Sequence, residues 1–258
     1  MELRIHSDTH LEAFIGKPAE LLVEKFFPTA EGEFEQTLVL AGDICSVPEK
    51  TNEVLQILSR RFANILYVPG NHEYYRSDLD TVNEKLKRIQ QNIPNLYISC
   101  ANKIETVVID NVRFIFGTLW TDPFAEGFKI ENVKYYLNDF RVIRDFTVEV
   151  MAEIHFSQKN ELQHILSVPF SGETVVVTHH MPSFSLCHPR FGNECNHGFA
   201  SNCEALLNSG KINTWIFGHT HDRISQQMGT TKLECNPTGY RGEWGNNFSG
   251  GQVVVVKI

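Results

Sequence analysis

Asp8-Thr9-His10, Gly42-Asp43, Gly70-Asn71-His72-Glu73, Thr178-His179-His180 and Gly218-His219-Thr220-His221 are short polar clusters, and each stands directly behind an apolar run. Their carboxylate, amide and imidazole groups are ligands for hard and borderline divalent metals. Asp8, His10, Asp43, Asn71, His179, His219 and His221 together offer three oxygen donors and four imidazoles, enough for two metal ions. Taken singly, each cluster reads as an ordinary polar turn. Their chemistry depends on convergence, and that is a question about the elements behind them.

Those elements alternate. Residues 2–6, 37–41 and 65–68 have strand character, and the last two close on Gly-Asp and Pro-Gly turns that present a side chain at the tip. Extended backbone sends residues i and i+2 the same way, so Asp8 and His10 are expected to reach one metal. Ser46-Val47-Pro48-Glu49 reads as a capping box opening a helix through Phe62, and a second helix is expected from Ser77 through Ile89. Strand–loop–helix units in succession describe half of a largely parallel sheet. Apolar runs at 104–109 and 112–116 around Asp110-Asn111 predict a hairpin. An irregular aromatic and charged excursion then covers 118–148, expected to be a lid over the site. A helix over 149–166 leads to a strand at 173–178, and the cluster Ser201-Asn202-Cys203-Glu204 is expected to cap the next helix. Strands at 214–217, 224–228, 231–235 and 252–258 complete a second half-sheet.

The composition is that of a globular protein of one domain, 1–258: 42% of the residues are hydrophobic and 21% charged. A formal charge of -8 gives no reason to expect general affinity for nucleic acid or anionic membrane. Strand-like residues 2–6 lead at once into Ser7-Asp8, leaving no room for a signal peptide, and no apolar run approaches the ~20 residues of a membrane helix. The six cysteines form no Cys-x-x-Cys pair, which favours reduced thiols. These features predict a cytoplasmic protein.

The five clusters, in this order from residue 8 to residue 221, resemble those of the calcineurin-like metallophosphoesterases. The resemblance implies an α/β fold: two mixed β-sheets packed as a sandwich and flanked by helices, with a two-metal site between the sheet edges. It also implies that Asp8, His10 and His221 hold one cation, that Asn71, His179 and His219 hold the other, and that Asp43 bridges them. Mn, Fe and Zn all suit such nitrogen and oxygen donors. Two cations ~3.5–4 Å apart can deprotonate a bridging water and stabilise the charge of an attacked phosphate. By the same resemblance His72 is the catalytic residue, a hydrogen-bond donor or general acid at the leaving-group oxygen. Serine/threonine phosphatases of the family place an Asp three residues beyond the bridging Asp to pair with this His. Here Ser46 occupies that place and is read as a helix cap, so Glu73 or a lid residue is expected to orient His72. Trp120, His188 and Arg190 are the candidate substrate contacts, an aromatic face for a base and two groups for phosphate. The reading is a dinuclear metal-dependent phosphoesterase, a phosphodiesterase acting on a nucleotide or other small ester. A phosphomonoesterase or protein phosphatase is the alternative. A non-catalytic binding scaffold would have lost ligands or the His72 position, and this chain retains them all.

Overall fold

Every side chain of the strand Thr37–Ala41 is buried; Leu38 and Leu40 face one apolar cluster while Val39 and Ala41 face another. A strand covered on both faces needs two layers around it, and that requirement organises the chain. The computed structural model describes residues 1–191, 193–244 and 253–258. In order, the elements are β1 (Glu2–His6), α1 (Ala19–Phe26), β2 (Thr37–Ala41), α2 (Pro48–Leu58), β3 (Asn64–Val68), α3 (Leu79–Gln91), β4 (Leu96–Ile98), β5 (Glu105–Ile109) and β6 (Val112–Gly117). There follow α4 (Ile130–Tyr136), α5 (Asp139–Val142), α6 (Val148–Ser167), β7 (Glu173–Thr178), α7 (Glu204–Leu207), β8 (Thr214–Ile216), β9 (Ile224–Met228), β10 (Thr231–Cys235) and β11 (Val255–Lys257).

The first sheet has the order β11-β1-β2-β3-β4, with β1 to β4 parallel and β11 antiparallel at the edge. The second runs β5-β6-β7-β8-β10-β9, parallel from β6 to β10 and antiparallel at both edges. Leu3, Ile5, Val39 and Leu66 of the first sheet meet Phe114, Phe116, Val175 and Ile216 of the second in a shared apolar layer. Leu40 and Tyr67 on the outer face of the first sheet pack with Leu22, Leu55 and Leu86 of α1, α2 and α3. Ile115, Val176 and Trp215 on the far side pack with Leu162 of α6 and Leu207 of α7. This is the helix–sheet–sheet–helix sandwich expected. No helix among the described residues is long and apolar enough to cross a membrane.

Local details differ from the expectation. Ser46 does not cap α2: the N-cap residue is Val47, without a side-chain hydrogen bond, and the Ser46 N–H donates to Glu12 Oε2 at 3.3 Å. Pro48 in the first turn, which has no N–H to satisfy, starts that helix without a cap. Ser201 likewise does not cap α7; the carboxamide of Asn202 accepts the Glu204 N–H at 3.3 Å. The short strand β4, only three residues long, carried too brief an apolar pattern to be expected. Gln252, the first residue of the last expected strand, lies outside the described residues, and β11 occupies 255–257. The Asp110-Asn111 turn has positive φ at both residues, the hairpin geometry its sequence signals.

Candidate metal centre

All five polar clusters lie just beyond the carboxyl ends of parallel strands β1, β2, β3, β7 and β8, so the two sheets deliver them to one edge of the sandwich. The strands stop there because the backbone turns sharply. Asp8, His10, Asp43 and His219 have φ of 52°, 49°, 55° and 64°, left-handed conformations that cost non-glycine residues free energy and persist where the surroundings over-determine them. Asp8 and His10 are therefore not extended, and they converge by consecutive turns in place of the i, i+2 alternation expected. What holds the turns is a backbone ladder between loops: Asp8 N–H to Gly42 O at 2.9 Å, His10 N–H to Asp43 O at 3.0 Å and Leu11 N–H to Ile44 O at 2.9 Å. Gly42 (φ 91°) and Gly70 permit the close approach, since a Cβ at either would lie 2.2 Å from His179 Nδ1 or Asp43 Oδ1 respectively.

Three groups result in which the ligand-type atoms lie within 4.8 Å of one another: Asp8, His10 and His221; Asp43, His179 and His219; and His10, Asp43 and His72. His10 Nε2 is 3.2 Å from His221 Nε2, and His179 Nε2 is 3.1 Å from both Asn71 Oδ1 and His219 Nδ1. Asp43 lies between the groups, Oδ1 at 3.5 Å from His179 Nε2 and Oδ2 at 4.0 Å from His10 Nε2. Neighbouring ligands on a cation with bonds of about 2.1 Å sit roughly 3.0–3.4 Å apart. The separations suit cations between them.

The outer atoms are fixed in the sense this requires. His179 Nδ1 donates to Ala41 O at 2.9 Å and His221 Nδ1 to Glu243 Oε2 at 2.5 Å, so each ring turns a lone pair inward. Asn71 Nδ2 donates to Tyr75 OH at 3.1 Å, which leaves Oδ1 for the centre. Asp8 Oδ2 and His219 Nε2 are buried without a protein hydrogen-bond partner. Burial disfavours charge on His179, yet Asp43 and Asp8 outweigh it and lift the imidazole to about 9. Burial acts against the Asp43 carboxylate too, and His179 and His72 overcome it, carrying that group well below the ordinary carboxylate range. The donor set fits two divalent cations.

His72 stands beside this cluster, in the ligand-type group with His10 and Asp43. Its N–H donates to Asp43 Oδ1 at 2.9 Å, its Nδ1 lies 3.0 Å from Glu12 Oε1 and its Nε2 lies 3.0 Å from the Tyr240 hydroxyl. Burial opposes its charge, but Asp43 and Glu12 raise it to about 9. Its partner is Glu12, contrary to the expectation of Glu73 or a lid residue. Glu73 is buried and accepts from the N–H groups of Asp43, Ile44, Cys45 and Gly70 and from Tyr67 OH, which leaves it no reach toward His72.

A cavity of about 690 Å³ opens over the centre. Tyr136, Leu137, Asn138 and Asp139 form one wall, and Cys187, His188, Cys195, Asn196 and Phe199 another. The walls brace each other through Asn132 Nδ2 to Glu194 O at 2.9 Å and Phe128 stacked on His197 at 4.5 Å. His188 thus reaches the cavity. Arg190 does not line it, and its guanidinium pairs with Asp222 at 3.1 Å. Trp120 corrects the expectation outright: it is fully buried against Phe146 and His180, with no face left for a base.

Several contributors escaped sequence reasoning, Tyr75 behind Asn71 among them. Glu12 stands two residues beyond His10, and extending the Asp-x-His spacing by one step would have found it. Tyr240 and Glu243 arrive on a return loop from β10 with no motif to mark them, and Asp139 sits in the irregular excursion.

The family described as calcineurin-like phosphoesterase matches residues 5–223. Uncharacterized protein L509 of Acanthamoeba polyphaga mimivirus is 28% identical over 271 residues, 96% of this chain and 94% of that protein. The acyl-carrier-protein phosphodiesterase PptH of Mycobacterium tuberculosis is 35% identical over 77 residues, 29% of this chain and 21% of that protein. The crystal structure of phosphopantetheinyl hydrolase PptH from Mycobacterium tuberculosis shares the fold, with a TM-score of 0.76 at 18% identity over 98% of this chain and 95% of that one.

Proposed function

The chain belongs to the calcineurin-like phosphoesterase family and is a metal-dependent phosphoric ester hydrolase, and from that premise we propose that it is a phosphodiesterase acting on small esters. Asp8, His10 and His221 would hold one divalent cation, Asn71, His179 and His219 the other, and Asp43 both; Mn, Fe and Zn suit the set equally. Bound there, the cations supply an activated water and charge stabilisation for the attacked phosphate. The chain's own parts do the rest. Asp43 ties the two groups together, and Glu243, Tyr75 and Ala41 O keep the ligands aimed inward. His72, its Nδ1 held by Glu12, turns Nε2 to the cavity beside the Tyr240 hydroxyl, where a proton on it can pass to the departing ester oxygen.

One observation favours a diester: among the described residues, no Lys or Arg lines the cavity. Two divalent cations bring four positive charges, and the carboxylates of Asp8, Asp43, Glu12 and Glu243 bring four negative ones. With His72 as an added proton carrier, such a centre accepts the single charge of a diester more readily than the double charge of a monoester, since no Lys or Arg of the described residues offsets the second. A partial relative named as a phosphodiesterase agrees with this. The whole chain would form one domain, with 118–148 as the insertion that walls the cavity and Tyr136, Asn138 and His188 as groups that choose the ester, a nucleotide or another small one. Six free cysteines suit a reducing compartment such as the cytoplasm.

Paired turnover of bis(4-nitrophenyl) phosphate and 4-nitrophenyl phosphate with Mn²⁺ supplied tests the proposal. At least a tenfold higher kcat/KM is expected for the diester. A preference for the monoester would overturn it.

A further inference from the structure

Glu12 touches two imidazoles with one oxygen. Its Oε1 lies 3.2 Å from His10 Nδ1 and 3.0 Å from His72 Nδ1, and its Oε2 accepts the Ser46 N–H at 3.3 Å. The two rings stand edge to face, centroids 4.5 Å apart at 67°, so they approach that oxygen from different sides. Glu12 itself is placed by the 3-10 turn Leu11–Phe14, which begins directly after His10. We infer that Glu12 is a positioning residue shared by His10 and His72, one carboxylate that makes the metal centre and the leaving-group donor a single unit. The inference rests on His72 assisting the leaving group, as proposed above.

The physical basis is lone-pair bookkeeping. A carboxylate oxygen has two acceptor directions, and here each takes one ring N–H. With Nδ1 committed to Glu12, both rings must present Nε2 for their other task. His10 Nε2 then faces His221 and Asp43 in the cluster, and His72 Nε2 faces the cavity beside Tyr240 OH. Among the described residues no other group holds either Nδ1. His10 packs flat on Tyr240 at 4.2 Å and His72 flat on Tyr75 at 4.1 Å, contacts that fix the plane of each ring but not which nitrogen points where. Removing the Glu12 carboxylate would free two ring flips at once, one harming metal binding and the other proton delivery. A plain structural tie between residue 12 and residue 46 would instead affect stability alone.

The test combines Glu12→Ala, Glu12→Gln and His72→Ala, read by Mn²⁺ titration calorimetry and by turnover of a nitrophenyl and a phenyl diester. Glu12→Ala is expected to weaken Mn²⁺ binding at one position by about 10- to 100-fold. It is also expected to lower kcat for the phenyl ester by roughly 10²-fold more than for the nitrophenyl ester, whose good leaving group needs little proton. Glu12→Gln keeps an acceptor oxygen at the same reach and should recover most of both losses, which also guards against a misfolded alanine variant. At Mn²⁺ concentrations that saturate both variants, Glu12→Ala in a His72→Ala background should cost nothing further on the phenyl ester while the Mn²⁺ affinity defect persists. Additive losses on the phenyl ester, or unchanged Mn²⁺ affinity, would overturn the shared role. Equal damage to both esters in His72→Ala alone would overturn it too, by removing the leaving-group reading on which it stands.

Discussion

The carboxylate of Glu73 accepts the backbone N–H of Asp43 at 3.0 Å and, with the same oxygen, the N–H of Gly70 at 2.7 Å. Its other oxygen takes Ile44 N–H at 2.7 Å, Cys45 N–H at 3.2 Å and Tyr67 OH at 2.7 Å. The β2 and β3 loops, which present Asp43 and Asn71, are thereby clamped on one buried acid. Glu73→Ala would strand several buried donors at once. We expect a loss of at least about 3 kcal/mol, read from denaturant unfolding of the metal-free protein. An unchanged unfolding midpoint would show that Glu73 is not the clamp.

The convergence of Asp8, Asp43 and the ligand imidazoles makes the metal-free centre electrostatically costly, so bound cations should stabilise the fold. At a free Mn²⁺ concentration of 100 times Kd, linkage gives about 2.7 kcal/mol for each site. Asp43→Asn weakens the bridge and should diminish the gain at both positions together. Calorimetric unfolding with Mn²⁺ and with chelator measures it, and a gain in Asp43→Asn equal to that of the unaltered chain would sink the bridging assignment.

His72 offers a separate handle. If it donates to the leaving group and holds no metal, His72→Ala should keep the metal content while lowering kcat by roughly 10²–10⁴-fold. The loss should shrink for esters with good leaving groups. Elemental analysis of the variant decides the first half, since loss of one cation would make His72 a ligand in the group it forms with His10 and Asp43.

Acid should unfold the protein through its buried neutral imidazoles. Burial lowers His6 to about 3 and His155 to about 4, against the ordinary 6.5. Below 6.5 the unfolded chain takes up protons that the folded protein refuses, so stability present at neutral pH is lost as pH falls toward about 4 and then about 3. Each group contributes a slope of about 1.4 kcal/mol per pH unit within its window. His155→Leu should flatten the acid limb by one such contribution. Identical slopes in the two proteins would contradict the assignment.

Which of these features could be read from the chain follows from how each is made. Gly42-Asp43 and Gly70-Asn71 announce themselves because the glycine that allows close approach and the ligand it exposes are adjacent in sequence. The sandwich was legible for a similar reason, since strands buried on both faces read as unbroken apolar runs, as at Leu38–Val39–Leu40. Glu12 stands two residues beyond His10, yet its tie to His72 spans 60 positions, while Tyr240 meets His72 across 168 and Glu243 meets His221 across 22, and no local pattern marks such partners. Ser46 and Ser201 carried the right chemistry for caps, but tertiary demand drew the Ser46 N–H to Glu12 instead. Asp8 and His10 converge for a reason other than the one the strand pattern suggests, because the left-handed turns that carry them leave no periodicity.

Substrate choice gives the last test, and it turns on where Trp120 lies. The ring is fully buried, packed against Phe146 at 4.5 Å between centroids and against His180 at 5.2 Å. The carbonyl of Trp120 is also held by His155 Nδ1 at 2.6 Å. Truncating such a side chain leaves a cavity, and Trp120→Ala should cost ~3–5 kcal/mol and depress turnover of every ester alike. Tyr136 and His188 line the cavity from two separate segments of the chain. Tyr136 is half or more exposed, so its removal leaves the core intact and should cost well under 1 kcal/mol. Tyr136→Ala and His188→Ala should therefore leave stability and metal content near normal while changing KM unequally between a nucleotide diester and a small aryl diester. Unfolding and paired kinetics on the three variants separate the cases. A Trp120→Ala protein of unchanged stability but altered preference would return that ring to the substrate, and equal KM shifts in the other two would remove the cavity walls from selectivity.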